Sequence, residues 1–243
     1  MLQEAVSLTP VISGEDEELQ MTFQVAMVGR DGLVLGSDRK MRIIPTIQTG
    51  ERGYARYAAQ SKLRVNAAKT AIVACAGADR AWLIGEQVVA KFNPDLNSTA
   101  WVDYLKEECE SREDKPSRDQ ILVVRCDTPD KFWWLSIGRE LKEFEDKTSS
   151  GLPLAAEFFL QQFYKTNMEL SSLENLALLT LDCAALEAPD SVGCGYDLMT
   201  LRNGKPHFQT YKPDCAEVLS IRARFQAAIN DILYAISSPI VQM

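Results

Sequence analysis

Three residues of the sequence, Thr22, Asp38 and Lys62, have side chains that suit nucleophilic catalysis. Thr22 follows Met21, and a cut between the two would give Thr22 a hydroxyl nucleophile together with a free α-amine that can act as its base. Such a site needs no histidine, and the sequence contains only His207. A free α-amine has an ordinary pKa of about 8, so a charged Lys62 nearby would lower that pKa, and Asp38 would hold the lysine in place.

Short strands and paired helices must position these residues. Apolar runs bounded by turn residues predict strands at 22–28, 33–37, 62–65, 71–76, 121–126, 131–137, 141–145, 197–201 and 207–211. Apolar residues at helical spacing predict helices at 79–92, 98–109, 153–164, 173–186 and 216–236. The segment 45–60 has no regular period and is predicted to be a long loop. This order favours an α+β domain, a four-layer αββα sandwich in which helices cover two antiparallel sheets.

The composition limits the class of protein. A chain of 243 residues with 46% hydrophobic residues can bury one sizeable core, and we predict a single domain over residues 22–243. The net charge of -8 argues against a nucleic-acid partner, because phosphate binding depends mainly on Lys and Arg. Six cysteines without a CxxC pair and a single histidine give no usual metal site, and no cofactor is predicted.

Residues 1–21 contain the acidic run 15–18 and have neither the basic start nor the apolar stretch of a signal peptide. No segment approaches the roughly 20 apolar residues that cross a membrane. We therefore predict a cytoplasmic protein without a membrane partner. Residues 1–21 are interpreted either as a leader that is removed, or as an extension upstream of a true initiator, Met21, that a methionine aminopeptidase would remove because threonine is small.

The motifs around these residues resemble those of the proteasome β-type subunits, a family of N-terminal-nucleophile hydrolases that share the αββα sandwich. The segment 31–39, DGLVLGSDR, is similar to the second-strand signature of the family and puts its catalytic Asp on Asp38, while its catalytic Lys falls on Lys62. The segment 71–77, AIVACAG, is similar to the strand that ends in the oxyanion turn, with Ala74 where glycine is usual. An oxyanion hole uses only a backbone N–H, so Ala74 keeps that role in the prediction. Among the branches, the Ala-x-Ala-Gly turn and the Met before Thr look closest to the bacterial HslV-like peptidases and the betaproteobacterial proteasome homologue.

The same resemblance implies further site residues. Ser150 falls where the family carries Gly-Ser-Gly, and Asp190 and Ser191 are similar to an Asp-Ser pair of that active site. The three side chains would hydrogen-bond the α-amine of Thr22 and orient it. The following residues 192–195, VGCG, lack the second serine of the family. Without the resemblance, Ser150 is equally well interpreted as a residue at a helix N-terminus, and Asp190 and Ser191 as a simple loop.

The resemblance also implies a substrate pocket and an assembly. Met41, Arg42, Ile72 and Ala76 are predicted to line a pocket that favours apolar side chains. The function implied is a self-compartmentalising threonine endopeptidase of stacked homo-oligomeric rings, with peptides or unfolded proteins as substrates and an ATP-dependent unfoldase as a candidate partner. Two alternatives stay open: a silent ring subunit with a structural or assembly role, in which Thr22 is masked, and a small amidase of the same superfamily.

Overall fold

The computed structural model describes residues 22–43, 56–77, 79–92, 98–110, 119–137, 139–151 and 154–237. Its strands are β1 (Gln24–Gly29), β2 (Gly32–Asp38), β3 (Lys40–Ile43), β4 (Arg56–Ala59), β5 (Leu63–Val65), β6 (Ala71–Ala76), β7 (Gln120–Arg125), β8 (Phe132–Ser136), β9 (Glu140–Phe144), β10 (Lys147–Ser150), β11 (Tyr196–Arg202) and β12 (Lys205–Tyr211). Its helices are α1 (Asp79–Ala90), α2 (Ser98–Glu110), α3 (Leu154–Phe163), α4 (Leu170–Glu187) and α5 (Ala216–Ser237).

Two five-stranded sheets and one short ribbon contain all the described strands. Sheet I has the order β10-β1-β2-β11-β12, sheet II has the order β5-β6-β7-β8-β9, and β3 pairs with β4 alone. Every neighbouring pair of strands is antiparallel. The prediction of two antiparallel sheets is therefore confirmed, and the β1–β2 hairpin carries the segment from Thr22 to Asp38.

Three clusters of buried apolar residues fill the spaces between the layers. The first contains Val25 and lies between sheet I and helices α3, α4 and α5. The second contains Ala26 and Ile72 and lies between the two sheets. The third contains Val73 and Trp101 and lies between sheet II and helices α1 and α2. Because Val25 and Ala26 are neighbours on β1, their opposite placement follows from strand alternation, and the four-layer αββα sandwich is confirmed.

The end of the predicted 45–60 loop is a strand. In the ribbon, Lys40 pairs with Ala59 and Ile43 pairs with Arg56, while residues 44–55 lie outside the described part of the chain. Strand β3, Lys40-Met41-Arg42-Ile43, alternates polar and apolar residues over four positions only, and β4, Arg56-Tyr57-Ala58-Ala59, does not alternate, so the strand signal in the sequence is weak there. The loop prediction is wrong for residues 56–59, since pairing with β3 overrides the local pattern.

Strand β10 was not predicted, and its residues Lys147-Thr148-Ser149-Ser150 are all polar. It forms because β1 has a free edge, against which Gln24 pairs with Ser150 and Met27 with Lys147. This edge strand brings the predicted site residue Ser150 to the strand that follows Thr22.

None of the helices in the described ranges combines the length and the apolar composition that a membrane crossing needs.

Helix α5 is fastened to sheet I by a buried carboxylate. The Arg222 guanidinium of α5 donates to both oxygens of Asp182 on α4, at 2.7 and 2.9 Å. The Tyr196 hydroxyl of β11 donates to the same carboxylate at 2.8 Å. Tyr196 stands opposite Asp38 in the β11–β2 register, so this network fixes the strand beside the predicted catalytic carboxylate.

Candidate active site

Thr22, Asp38 and Lys62 meet beside the start of β1. The Lys62 Nζ donates to Thr22 Oγ1 at 2.8 Å and to the two carboxylate oxygens of Asp38 at 2.9 and 3.0 Å. The exposed fractions are 7% for Thr22, 0% for Asp38 and 2% for Lys62. One buried ammonium group therefore contacts both a hydroxyl and a carboxylate, which is the constellation that the spacing of the sequence predicts.

Backbone N–H groups hold the Asp38 carboxylate in place. Its Oδ1 accepts the N–H of Phe23 at 2.9 Å, and its Oδ2 accepts those of Lys40 at 2.9 Å and Gly193 at 3.3 Å. Asp38 ends β2, and its own N–H donates to the Phe23 carbonyl oxygen at 3.1 Å. The carboxylate is thus fixed from three chain segments, and it fixes the Lys62 side chain in turn.

Burial changes the proton affinity of both charged groups. Burial raises the pKa of the Asp38 carboxyl, against the attraction and hydrogen bonds of Lys62. Burial also lowers the pKa of the Lys62 amine, against the attraction of Asp38. In each case the loss of hydration disfavours the charged form. A lowered pKa increases the neutral fraction of Lys62, and only the neutral amine can accept a proton from the Thr22 hydroxyl.

The contact between Lys62 and Thr22 changes the role expected for the lysine. The sequence prediction uses the α-amine of Thr22 as the base and gives Lys62 an electrostatic role. In the 243-residue chain, however, the Thr22 nitrogen is part of the peptide bond to Met21, and an amide nitrogen is not a base. Lys62 is the amine in direct contact with the hydroxyl, a feature that sequence spacing cannot reveal because it depends on a side-chain distance.

Ser150 lies at the end of β10, opposite Gln24, and its hydroxyl donates to Gln24 Oε1 at 3.2 Å. Both side chains are buried. The alternative interpretation of Ser150 as a residue at a helix N-terminus is wrong, because α3 begins at Leu154. Ser150 therefore belongs to the segment that borders the Thr22 strand, as the resemblance implies.

Gly151 packs directly on Thr22. Its φ is +118°, and a Cβ added there would lie 2.3 Å from the Thr22 carbonyl oxygen and 3.2 Å from the Phe23 Cα. Both of those atoms belong to the backbone and cannot turn away. Glycine at this position lets β10 and its following turn lie close to the nucleophile.

We expect Gly151→Ala to lower the free energy of unfolding by at least about 2 kcal/mol, because it combines backbone strain with a collision against Thr22. Gly193→Ala is the matched control, since Gly193 has a φ of +134° but a Cβ there would meet nothing closer than the Ala185 Cβ at 3.9 Å. The control should show strain alone, about 1 kcal/mol. Urea unfolding of both variants measures the difference, and equal destabilisation would contradict the close contact with Thr22.

Asp190 and Ser191 lie in the loop after α4, where Asp190 is exposed and Ser191 is half-buried. Within the described residues, neither forms a hydrogen bond to Thr22, Asp38 or Lys62. The loop reaches the site through its backbone instead, because the Gly193 N–H binds the Asp38 carboxylate. Sequence reasoning missed this glycine, although the Gly-Cys-Gly pattern after Val192 was a visible signal of unusual backbone geometry.

The amide of Ala74 does not face Lys62. Ala74 stands opposite Leu63 on β5 and opposite Leu122 on β7. Its neighbour Cys75 donates its N–H across to β5, to the carbonyl oxygen of Lys62 at 3.1 Å. Because the N–H groups of an antiparallel strand alternate between its two neighbours, the N–H of Ala74 points to β7. Ala74 therefore does not fit the predicted oxyanion role, because its N–H points away from Lys62. The N–H of the next residue along the strand points in the opposite direction.

A second backbone bond gives the same alternation and identifies the amides on the Lys62 side. The Cys126 N–H donates to the Thr70 carbonyl oxygen at 2.9 Å, which directs the even-numbered residues of β6 to β7. The odd-numbered Cys75 and, just past the strand, Gly77 lie on the other side. The register that decides this is set by the turn between β5 and β6, which the sequence pattern did not resolve.

The four residues of the predicted substrate pocket are divided between two places. Met41 is half-buried on the β3–β4 ribbon, and Arg42 pairs with Tyr57 there. Ile72 is fully buried in the cluster between the sheets, so it is a core residue. Ala76 ends β6 and is buried.

In the ranges that the structure describes, no group of three or more His, Cys, Asp or Glu side chains could hold a metal ion.

The fold and this arrangement of residues define a proteasome-like fold of the N-terminal-nucleophile type. No protein-family model matches the sequence, and no curated protein matches it. Solved structures do match. Anbu (ancestral beta-subunit) from Yersinia bercovieri has a TM-score of 0.68 at 14% identity, over 91% of this chain and 99% of that chain.

Two further Anbu structures are similar at the same level. Anbu from Hyphomicrobium sp. strain MC1 has a TM-score of 0.64 at 14% identity, over 90% of this chain and 100% of that chain. The Anbu complex from Pseudomonas aeruginosa, described as a helical assembly, has a TM-score of 0.63 at 15% identity, over 90% of this chain and 98% of that chain. Identities of this size establish a shared fold and nothing finer.

The predicted membership of the proteasome β-type subunits, closest to the HslV-like peptidases, is wrong. The structural neighbours are Anbu proteins, which are proteasome-like relatives but form a distinct family. The resemblance rested on a few short motifs around Asp38, Lys62 and one glycine-containing turn. The two features used to choose a branch, one turn and one methionine, are too short to distinguish families that share a fold.

Proposed function

We propose that the protein is a self-assembling threonine-type endopeptidase in which Thr22 is the nucleophile after residues 1–21 are removed. The observation that supports this most strongly is the 2.8 Å contact between Lys62 Nζ and Thr22 Oγ1, with the same ammonium held on Asp38. An alcohol is a poor nucleophile at neutral pH unless a base takes its proton. A buried lysine whose pKa is lowered by desolvation supplies such a base at the required distance.

In the proposed reaction, Thr22 Oγ1 attacks the carbonyl carbon of a peptide bond while its proton passes to neutral Lys62. The lysine then gives this proton to the leaving amine, and the acyl group stays on Thr22 as an ester. We assign stabilisation of the oxyanion to the Gly77 N–H, on the side of β6 where Cys75 contacts Lys62, instead of to Ala74. Ser150 orients the amine of Thr22, and Asp190 and Ser191 act only through the loop that Gly193 ties to Asp38.

Residues 22–243 form the single peptidase domain in this proposal, and removal of residues 1–21 is the switch that activates it. The Thr22 nitrogen becomes a primary amine only after the bond to Met21 is cut. That amine then accepts the proton of the water that hydrolyses the ester. Peptides and unfolded proteins are the proposed substrates, with an ATP-dependent unfoldase as a candidate partner in the cytoplasm.

Self-association is the second part of the proposal. The Anbu complex from Pseudomonas aeruginosa forms a helical assembly, and this chain shares its fold. The outer face of α3 carries exposed phenylalanines, with 58% of Phe158 and 47% of Phe163 accessible. Phe163 also lines an apolar cavity of about 300 Å³ between α3, α4 and α5, together with Phe225. Apolar surface of this kind favours contact with a second protein surface, here another copy of the chain.

The test is adduct formation with a peptide epoxyketone, which needs both the hydroxyl and a free α-amine on one residue. A chain verified by intact mass to begin at Thr22 should gain the mass of one probe molecule. The control is the chain that retains residues 1–21, which should gain none, because its Thr22 nitrogen is an amide. A mature chain that never forms the adduct would support the silent subunit instead of the peptidase.

A further inference from the structure

Gln24 is a buried polar residue with an unused hydrogen-bonding atom next to the nucleophile. Its side chain has an exposed fraction of 0%, and Ser150 donates to its Oε1 at 3.2 Å. In the part of the chain that the structure describes, the Nε2 of Gln24 has no hydrogen-bond partner. A buried amide group without a partner is costly, so its retention calls for a ligand that completes it.

The identity of the unused atom does not affect this conclusion. Turning the Gln24 amide by half a turn would let its nitrogen donate to Ser150 and would leave its oxygen unpaired. In both orientations one polar atom stays available. A ligand that can both donate and accept hydrogen bonds satisfies either orientation, and water is the smallest such ligand.

Gln24 lies on the same face of sheet I as Thr22. The ladder between β1 and β2 extends to Phe23, whose carbonyl oxygen accepts the Asp38 N–H at 3.1 Å. Residues two apart in such a segment point to one face, about 7 Å apart along the strand. Gly151, the neighbour of Ser150, touches the Thr22 carbonyl, so the Gln24 and Ser150 pair adjoins the nucleophile from the adjacent strand.

The face of sheet I that lies toward sheet II is polar in the row of residues that contains Gln24. The row through Gln24 consists of polar residues on four adjacent strands, Ser150, Gln24, Ser37 and Asp197. The next row on the same face, toward the middle of the sheet, consists of Thr148, Ala26, Leu35 and Met199, so it is apolar except at the edge strand β10. Among the residues that the structure describes, the buried Oδ2 of the Asp197 carboxylate also has no hydrogen-bond partner. Polar groups at this depth are stable only when they are hydrogen-bonded, which fits a hydrated end of the inter-sheet space beside Thr22.

We propose that Gln24, together with Ser150, binds the water molecule that hydrolyses the acyl-enzyme. The inference rests on the proposed peptidase function. In the step, the water oxygen bonds to the ester carbonyl carbon, and one water proton passes to the α-amine of Thr22. The bond between that carbon and Thr22 Oγ1 then breaks, the amine gives its proton to Oγ1, and a carboxylic acid leaves. Gln24 orients the water and takes no proton itself.

The experiment separates acylation from deacylation with a peptide p-nitrophenyl ester on chains verified to begin at Thr22. The burst of p-nitrophenolate reports formation of the acyl-enzyme, and the steady rate reports its hydrolysis. Gln24→Met keeps the side-chain volume and removes both polar atoms. We expect the steady rate to fall by about tenfold or more, because the water loses a hydrogen bond that fixes its position, while the burst rate stays within about twofold of wild type.

Two other variants complete the design. Thr180→Val is the matched control, since it removes a buried hydroxyl of α4 whose hydrogen bond, within the described part of the chain, goes to the Leu176 carbonyl, and neither rate should change. If Gln24→Met does not fold, Ser150→Ala tests the same pair by removing the hydroxyl that holds the Gln24 amide, with a several-fold slower steady rate expected.

Each outcome has a defined meaning. Accumulation of the ester on Thr22, seen by intact mass in the Gln24 or Ser150 variant, supports the water site. Equal slowing of burst and steady rate, or no slowing of either, overturns it while leaving the peptidase in place. A wild-type chain that shows neither burst nor ester overturns the proposed function itself.

Discussion

Thr22→Ala is expected to abolish peptide hydrolysis by the mature chain while the fold is kept. The change removes the oxygen that lies 2.8 Å from Lys62 Nζ and leaves no other hydroxyl in that position. Removing a nucleophile of this kind lowers kcat by at least about 1,000-fold. The stability should change by only about 1 kcal/mol, because Lys62 keeps both of its bonds to Asp38.

The measurement is a fluorogenic peptide assay on wild-type and variant chains whose N-terminus has been verified by mass. Thr22→Ser is the matched control, since serine keeps the hydroxyl and loses only the γ-methyl group. It should retain activity within about tenfold of wild type. A Thr22→Ala chain that cleaves at the wild-type rate would show that another group performs the attack, and the proposal would fail.

The part of the site that the sequence predicts best is the part carried by local strand geometry. Thr22 lies just before β1 and Asp38 ends β2 of the same hairpin, where its N–H donates to the Phe23 carbonyl oxygen, and the Asp-Gly turn of the hairpin is visible in the sequence. Lys62 directly precedes β5 of the other sheet, and its position beside Thr22 follows from the packing of one sheet on the other. The proximity of these three residues is therefore predictable from strands with a strong sequence pattern.

The features that the sequence did not predict depend on register and on edges. Strand β10 has four polar residues and exists because β1 offers a free edge, so no apolar pattern marks it. The direction of the Ala74 N–H depends on the register between β5 and β6, which a change of one residue in their turn would reverse. In the sequence, Gln24 is an ordinary polar residue of a strand. Only its complete burial in the structure distinguishes it.

The buried Asp38 and Lys62 pair has a cost in stability that a purely structural role would not explain. Desolvation raises the pKa of the Asp38 carboxyl and lowers the pKa of the Lys62 amine, so burial disfavours the charged form of both groups. Apolar residues of similar volume often replace such pairs without loss of stability. Buried groups with pKa values shifted in this way cluster at functional sites, and the contact with Thr22 gives the pair a chemical task.

Lys62→Arg is expected to lower kcat/KM by at least about 100-fold, although it keeps the positive charge beside Asp38. The reason is that arginine does not lose its proton in proteins, so it cannot accept the proton of the Thr22 hydroxyl. In the wild-type chain the burial of Lys62 lowers its pKa, and kcat/KM should rise as the pH increases through that lowered pKa, since only the neutral amine is a base. In the variant this rise should be absent.

The measurement is kcat/KM from about pH 6 to pH 10 for both chains, with thermal unfolding to verify that the larger side chain is accommodated. Lys142→Arg, at an exposed lysine of β9, is the control for the substitution itself and should leave the profile unchanged. A Lys62→Arg chain that keeps more than about a tenth of the activity, with the same pH profile as wild type, would contradict the proposal, because a charge alone would then be sufficient. In that case the α-amine of Thr22 would have to remove the hydroxyl proton, with Lys62 acting only through its field. Because the two mechanisms place the titrating base on different nitrogens, this one substitution distinguishes between them.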